Sequence, residues 1–179
     1  MSFIFSDDGE IWRRTPTLGI NESSEAQLTE LSDGTIRAFF RNWKSRICWA
    51  DAKYDGENYV WSEIVVSGSE LFGRASNCQI AALRLKDSYE ECDVLLAACP
   101  ANPDHRTDSG RYGGMLHTFL YDPKSGQTRL RKTTPINAGS DFYGYSCLTQ
   151  LQDGRIALLY ESESDFNFSW KIFPLSLIL

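Results

Sequence analysis

The chain has 179 residues, 42% of them hydrophobic, and a formal net charge of −6. That length suits one domain with a sizeable core, and the apolar fraction excludes a disordered chain. The negative balance argues against nucleic acid as a partner, although a few clustered arginines are enough to reverse the local field for a small acidic ligand.

Taken in chain order, the first feature is the polar knot FSDDGEIW (residues 5–12), read as a turn. Short runs rich in β-branched and aromatic residues follow: TIRAFFRNW (35–43), SRICWADA (45–52), EIVVSG (63–68), CDVLLAAC (92–99), GMLHTFLY (114–121) and RIALLYES (155–162). Gly, Asp, Asn and Ser clusters separate them and helical periodicity is scarce, so the pattern predicts antiparallel β-structure throughout. The last apolar run, IFPLSLIL (172–179), is far too short to span a bilayer, which takes ~20 residues, and is read as a final buried strand. No membrane span and no signal peptide are predicted. Five cysteines, at 48, 78, 92, 99 and 147, form no C-x-x-C pair and are odd in number. They predict packed thiols and neither a zinc site nor a disulfide framework. His105 and His117 have no neighbours at ligand spacing, so no metal or cofactor is expected.

A repeat organises the chain. QLTELSDGTIRAFF (27–40) matches CLTQLQDGRIALLY (147–160), with Leu, Thr, Leu, Asp, Gly and Ile at corresponding places. Each copy reads as strand, Asp-Gly turn, strand, which is a hairpin signal. A looser copy lies at 78–98, where a longer loop replaces Asp-Gly. Repeated units of about 40–50 residues or more built from short strands are the sequence signature of a β-propeller.

The opening knot recurs as WADAKYDGENYVW (49–61) and, more worn, as YDPKSGQTR (121–129). These stretches resemble the Asp box, S-x-D-x-G-x-x-W, of sialidases and some other propellers. Asp7, Gly9 and Trp12 fit that box, with Phe5 at the Ser position and Ser6 one place late. An aspartate there accepts backbone N–H groups, Gly permits positive φ, and Trp covers the turn and fills the gap between sheets.

Longer motifs carry the same resemblance. EAQLTELSDGTIRAFFRN (25–42) is similar to the sialidase segment in which a glutamate, sixteen residues before an arginine, pairs with a catalytic tyrosine; Glu25 and Arg41 hold those places. RASNCQIAAL (74–83) resembles the segment whose Asn-Cys-Gln lies near the pocket wall, here Asn77 and Gln79. ANPDHRTDSGRYGGMLHTFLY (101–121) resembles the segment with Arg-x-x-Gly before a strand; Arg111 fits and Arg106 is its rival. GYSCLTQLQDGRIALLYE (144–161) resembles the segment with the nucleophilic tyrosine; Tyr145 fits and Tyr143 is its rival. Glu161 matches a glutamate that in the family steadies an arginine of the substrate clamp.

The resemblance implies an all-β, six-bladed propeller of the sialidase type, of which residues 1–179 make one partial domain of roughly three blades lacking the N-terminal ones. It implies an exo-α-sialidase that cleaves terminal sialic acid from glycans with retention. Tyr145 is then the nucleophile and Glu25 its base. Arg41 and Arg111, with Asn77 and Gln79 nearby, bind the substrate. A neutral phenol suits an anomeric carbon that already bears a carboxylate, and sialidases with a Tyr nucleophile are a recognised exception to the two-carboxylate rule. The family's first arginine and its acid/base aspartate have no match here. The chain alone is therefore expected to turn over sialosides weakly or not at all, and to self-associate or pair with an N-terminal half through its open flanks. The alternatives are a non-catalytic sialoside-binding module and a structural propeller fragment.

Overall fold

The computed structural model describes residues 1–19, 23–42, 46–66, 78–101, 110–163 and 167–179. A two-stranded hairpin, β1 (Ile4–Phe5) and β2 (Arg13–Arg14), precedes three antiparallel sheets. The first sheet runs β3 (Ser23–Glu30), β4 (Ile36–Asn42), β5 (Cys48–Tyr54) and β6 (Tyr59–Trp61), with β7 (Val65–Val66) also on β5. The second contains β8 (Ala81–Arg84), β9 (Asp93–Pro100), β10 (Gly114–Asp122) and β11 (Gln127–Pro135) in that order. The third contains β12 (Ser146–Gln150), β13 (Ile156–Glu161) and β14 (Phe168–Phe173), and a one-turn helix, α1 (Leu175–Ile178), closes the chain. The first strands of the sheets, β3, β8 and β12, approach one another, so the sheets fan outward as blades of a partial propeller.

The two hairpins predicted from the repeat have the same turn. Leu31 N–H donates to Thr35 O and Gly34 N–H to Leu31 O; Leu151 N–H donates to Arg155 O and Gly154 N–H to Leu151 O. Gly34 and Gly154 sit at φ +81° and +86°, a conformation that a side chain disfavours.

Blade packing follows the strand patterns. Every residue of β9 is buried, because this continuous apolar strand is central in the middle blade and packs on both faces. One core joins the first and second sheets through Phe39, Trp49, Leu95 and Phe119. Another joins the second and third through Leu96, Leu116, Tyr143, Leu158 and Phe173. β11, unread in the sequence, alternates exposed and covered residues and puts Arg129, Arg131 and Lys132 on an edge, where charge discourages stray pairing.

The two flanks differ. The outer face of the first sheet is covered by the N-terminal segment. Leu18 packs with Ala38, Phe40, Cys48 and Ala50, Phe3 and Phe5 pack edge-on against Tyr59, and the Trp61 indole donates to Pro16 O at 2.9 Å. The outer face of the third sheet is bare: Cys147, Leu159 and Trp170 lie in register, and Trp170 and Phe168 are 69% and 61% exposed. Cys147 is therefore an exposed thiol, not a packed one; the other four cysteines are buried or half-buried.

The structure corrects two other expectations. Asp8, not Asp7, holds the opening turn: its Oδ1 accepts Glu10 and Ile11 N–H at 2.8 Å each, and Ser6 Oγ at 3.0 Å. Asp7 pairs with Arg13 instead, and Trp12 is 58% exposed with its indole on Gly9 O, so it lids its own turn and fills no gap between sheets. The turn is one residue tighter than the box spacing, which moves the acceptor from the first aspartate to the second. At the other end β14 stops at Phe173. Pro174 has no N–H for a ladder and begins α1, whose Ile178 is buried in the chain's own core.

Candidate active site

Each blade contributes side chains to one cluster at the ends of the inner strands. Glu25 comes from β3, Arg41 from β4, Arg111 from the approach to β10, Tyr145 from the residue before β12, and Glu161 from the end of β13. Glu25 is the extra residue of a β-bulge: Ser24 pairs with Arg41 and Ala26 with Phe40, leaving Glu25 outside the ladder at φ +55°. A non-glycine residue in the left-handed region costs about 1–2 kcal/mol, and bulges of this kind re-aim a side chain.

The Tyr145 hydroxyl donates to Glu25 Oε1 at 2.5 Å. Arg41 Nη1 donates to both Glu25 oxygens at 2.9 Å and lies 3.4 Å from the phenol oxygen. The Arg111 guanidinium stacks on the Tyr145 ring, 4.9 Å from its centroid. Burial pushes the Glu25 carboxyl up, but the hydrogen bonds from Tyr145 and Arg41 and the charges of Arg41 and Arg111 outweigh it, so Glu25 is held below the usual carboxylate range. The hydrogen bond to Glu25, then burial, raises the Tyr145 phenol above its ordinary value, with Arg111 pulling the other way. At neutral pH the pair is a neutral phenol hydrogen-bonded to an ionised carboxylate, with two guanidiniums beside it.

The two tyrosine rivals now separate. Tyr143 is fully buried and stacks on Tyr160 at 5.0 Å, and a Cβ on Gly114 would meet its ring at 2.2 Å. It is core. Burial raises its phenol far above the ordinary value. Arg106 and Asn77 lie outside the described residues. Gln79 accepts the backbone N–H of Ser146 through Oε1 at 3.2 Å, and so braces the chain next to Tyr145. Glu161 places Oε2 on the Tyr145 backbone N–H at 3.0 Å. His117 is buried in β10 against Thr133, and burial pushes its imidazole down to about 4. Cys78 is buried, which pushes its thiol up to about 11 and leaves it a poor nucleophile.

Gly144 was missed in the sequence. A Cβ there would stand 2.2 Å from Glu161 Oε2, although its φ is not in the left-handed region. The glycine immediately before Tyr145 was the available signal.

No family model matches this sequence. The chain is 26% identical over 177 residues to an anhydrosialidase of Macrobdella decora and 27% identical over 171 residues to sialidase B of Streptococcus pneumoniae. Each alignment covers 93% of this chain but only 22% and 23% of those proteins, so the chain spans under a quarter of the curated relatives' length. Its fold superposes on the NanB sialidase of S. pneumoniae with TM-score 0.82 at 23% identity, covering 99% of this chain and 28% of that one. An intramolecular trans-sialidase of Ruminococcus gnavus superposes with TM-score 0.80 at 21% identity, covering 99% and 38%.

Proposed function

We propose, for a chain whose relatives in sequence and fold are sialidases, that it supplies the nucleophile half of a sialic acid-cleaving site. The observation that carries the reading is the Tyr145–Glu25 hydrogen bond between residues 120 apart in sequence, flanked by Arg41 and Arg111. The guanidiniums bind the substrate carboxylate, for which their planar donors are suited. The phenol oxygen then attacks the anomeric carbon while its proton passes to Glu25, the glycosidic bond breaks, and the leaving oxygen takes a proton from solvent or from an acid outside this cluster. A neutral nucleophile meets no repulsion from the substrate's carboxylate, and ionised Glu25 is ready to accept the proton. Water releases the sugar from the tyrosine in a second step; an internal hydroxyl of the sugar is the competing acceptor.

In this reading residues 1–179 form one partial domain of a larger ring. The bare face of the third sheet is where a further sheet or a second chain packs. Natural sialosides then turn over weakly on this chain alone, because the implied first arginine and leaving-group acid have no counterpart in it. Turnover of a fluorogenic sialoside tests this. Weak activity that is lost in Tyr145→Phe supports the reading, and robust activity that survives Tyr145→Phe overturns it. Sialic acid binding with no turnover in either protein favours the binding-module alternative.

A further inference from the structure

Glu161 makes a contact that a partner of a substrate-binding arginine has no need of. Its Oε2 accepts the Tyr145 backbone N–H at 3.0 Å, its own N–H donates to Tyr145 O at 2.9 Å, and its carbonyl accepts Gly144 N–H at 3.0 Å. The glutamate thus brackets the peptide units on both sides of the Tyr145 Cα, from the end of the neighbouring strand β13. The space its carboxylate occupies exists only because residue 144 lacks a side chain. Gly144 does not have a left-handed φ, so an alanine would suffer no backbone strain there. The glycine serves the close approach of the carboxylate.

The geometry points to Glu161 as a positioning residue that, with Gly144, fixes the Tyr145 backbone so that the phenol reaches Glu25. The inference rests on the sialidase reading for its importance but not for its physics. Tyr145 precedes β12, and the Glu161 main chain already holds its carbonyl and the Gly144 N–H, but it leaves the Tyr145 N–H without a backbone acceptor. The Glu161 side chain, reaching from the end of β13, supplies the acceptor that this N–H lacks. A displacement of even a few tenths of an ångström at Tyr145 Cα lengthens a 2.5 Å hydrogen bond at the ring's far end.

The test is the titration of the Tyr145 phenol in this chain labelled with carbon-13 at the tyrosine ring carbon bearing the hydroxyl. The charged groups near that phenol are Glu25, Arg41 and Arg111. In Glu161→Ala the Tyr145 signal is expected to titrate lower than in the parent, toward ordinary tyrosine, and the Tyr145 amide proton to lose its downfield position. Glu161→Gln keeps an acceptor oxygen without the charge and is expected to titrate like the parent. Gly144→Ala is expected to reproduce Glu161→Ala, and the double variant to be no worse than either single one. Gly144→Ala also carries the test if Glu161→Ala fails to fold. A folded Glu161→Ala or Gly144→Ala that titrates like the parent overturns the proposal. So does a Glu161→Gln that shifts as far as Glu161→Ala, because charge alone is then acting. Sialic acid binding by the parent is measured separately; its absence, with the titrations as expected, removes the sialidase reading and leaves the positioning role intact.

Discussion

Strand β4 carries two arginines on one face, four residues apart, and each sits beside a tyrosine hydrogen-bonded to a carboxylate. Arg37 is 1% exposed, forks onto Asp51 at 2.7 and 2.8 Å, donates to Thr128 and stacks on Trp49 and Tyr121, whose hydroxyl donates to Asp33 at 2.8 Å. Arg41 is 22% exposed and meets Glu25 and the Tyr145 hydroxyl. The components are nearly the same and the environments are opposite. At the Arg37 end the neighbours come from regular strand pairs, Arg37 lying directly across from Asp51, and Thr128 and Tyr121 of the second sheet close over the head group. At the Arg41 end the carboxylate sits on a bulge with left-handed φ and the tyrosine lies just outside its strand. One end fastens two blades. The other leaves a guanidinium, a phenol and an ionised carboxylate partly exposed.

The largest effect expected at the open end is on rate. If Glu25 is the base proposed above, Glu25→Gln is expected to lower reaction with a sialoside roughly 10²–10⁴-fold, the range for loss of a general base. Its melting temperature is expected to change little, because the pair it breaks is partly solvated. At the closed end the order reverses. Arg37→Leu is expected to cost about 3 kcal/mol of stability by urea denaturation, at the lower end for removing one partner of a buried pair because Asp51 retains some water. Sialic acid affinity of the folded fraction should then be unchanged. A binding defect in Arg37→Leu equal to that of Arg41→Ala breaks the distinction.

pH sharpens it further. Glu25 has a folded value below its unfolded one, so its contribution is present above the ordinary glutamate value, ~4.3, and is lost as pH falls through the lowered folded value. Tyr145 has a raised value, so its contribution is present below ~10 and is lost as pH rises through the raised folded value. Stability followed by urea denaturation should therefore lose the Glu25 contribution only below the usual glutamate range, and Glu25→Gln should remove that part of the acid limb. At the Arg37 end Tyr121 is pushed up to about 12 by burial and its bond to Asp33. The smallest effect is at the bare flank. Trp170→Arg should reduce any concentration-dependent sedimentation while leaving melting and sialic acid affinity as they were, because its side chain is on no core face.

The strands of the buried centre were legible because β9, β10 and β13 are apolar runs, and the repeated Asp-Gly turn marks two hairpins unambiguously. β11 was not, because an edge strand with alternating Arg, Lys and Thr has the composition of a solvated loop. The spacing of Glu25 and Arg41 was legible through resemblance, but the way the two side chains meet was not: a bulge depends on how β3 pairs with β4, which no local pattern encodes. Which of Tyr143 and Tyr145 is the core residue was likewise open in the sequence. It is set by which tyrosine packs on Gly114 and Tyr160, a matter of tertiary contact. Asp8 took the turn from Asp7 because one residue fewer separates it from Gly9, a shift smaller than motif matching resolves.

The most direct test of the account is covalent capture. A sialosyl fluoride with a second fluorine beside its anomeric carbon needs no acid to expel its leaving group, and its glycosyl–enzyme bond hydrolyses slowly. The Tyr145 oxygen would bond to the anomeric carbon, fluoride would leave, and Glu25 would take the phenol proton. Intact mass and peptide mapping should find one adduct, on Tyr145, absent in Tyr145→Phe and slowed in Glu25→Gln. An adduct on another residue, or none from a chain that still binds sialic acid, would contradict the assignment of Tyr145 as nucleophile.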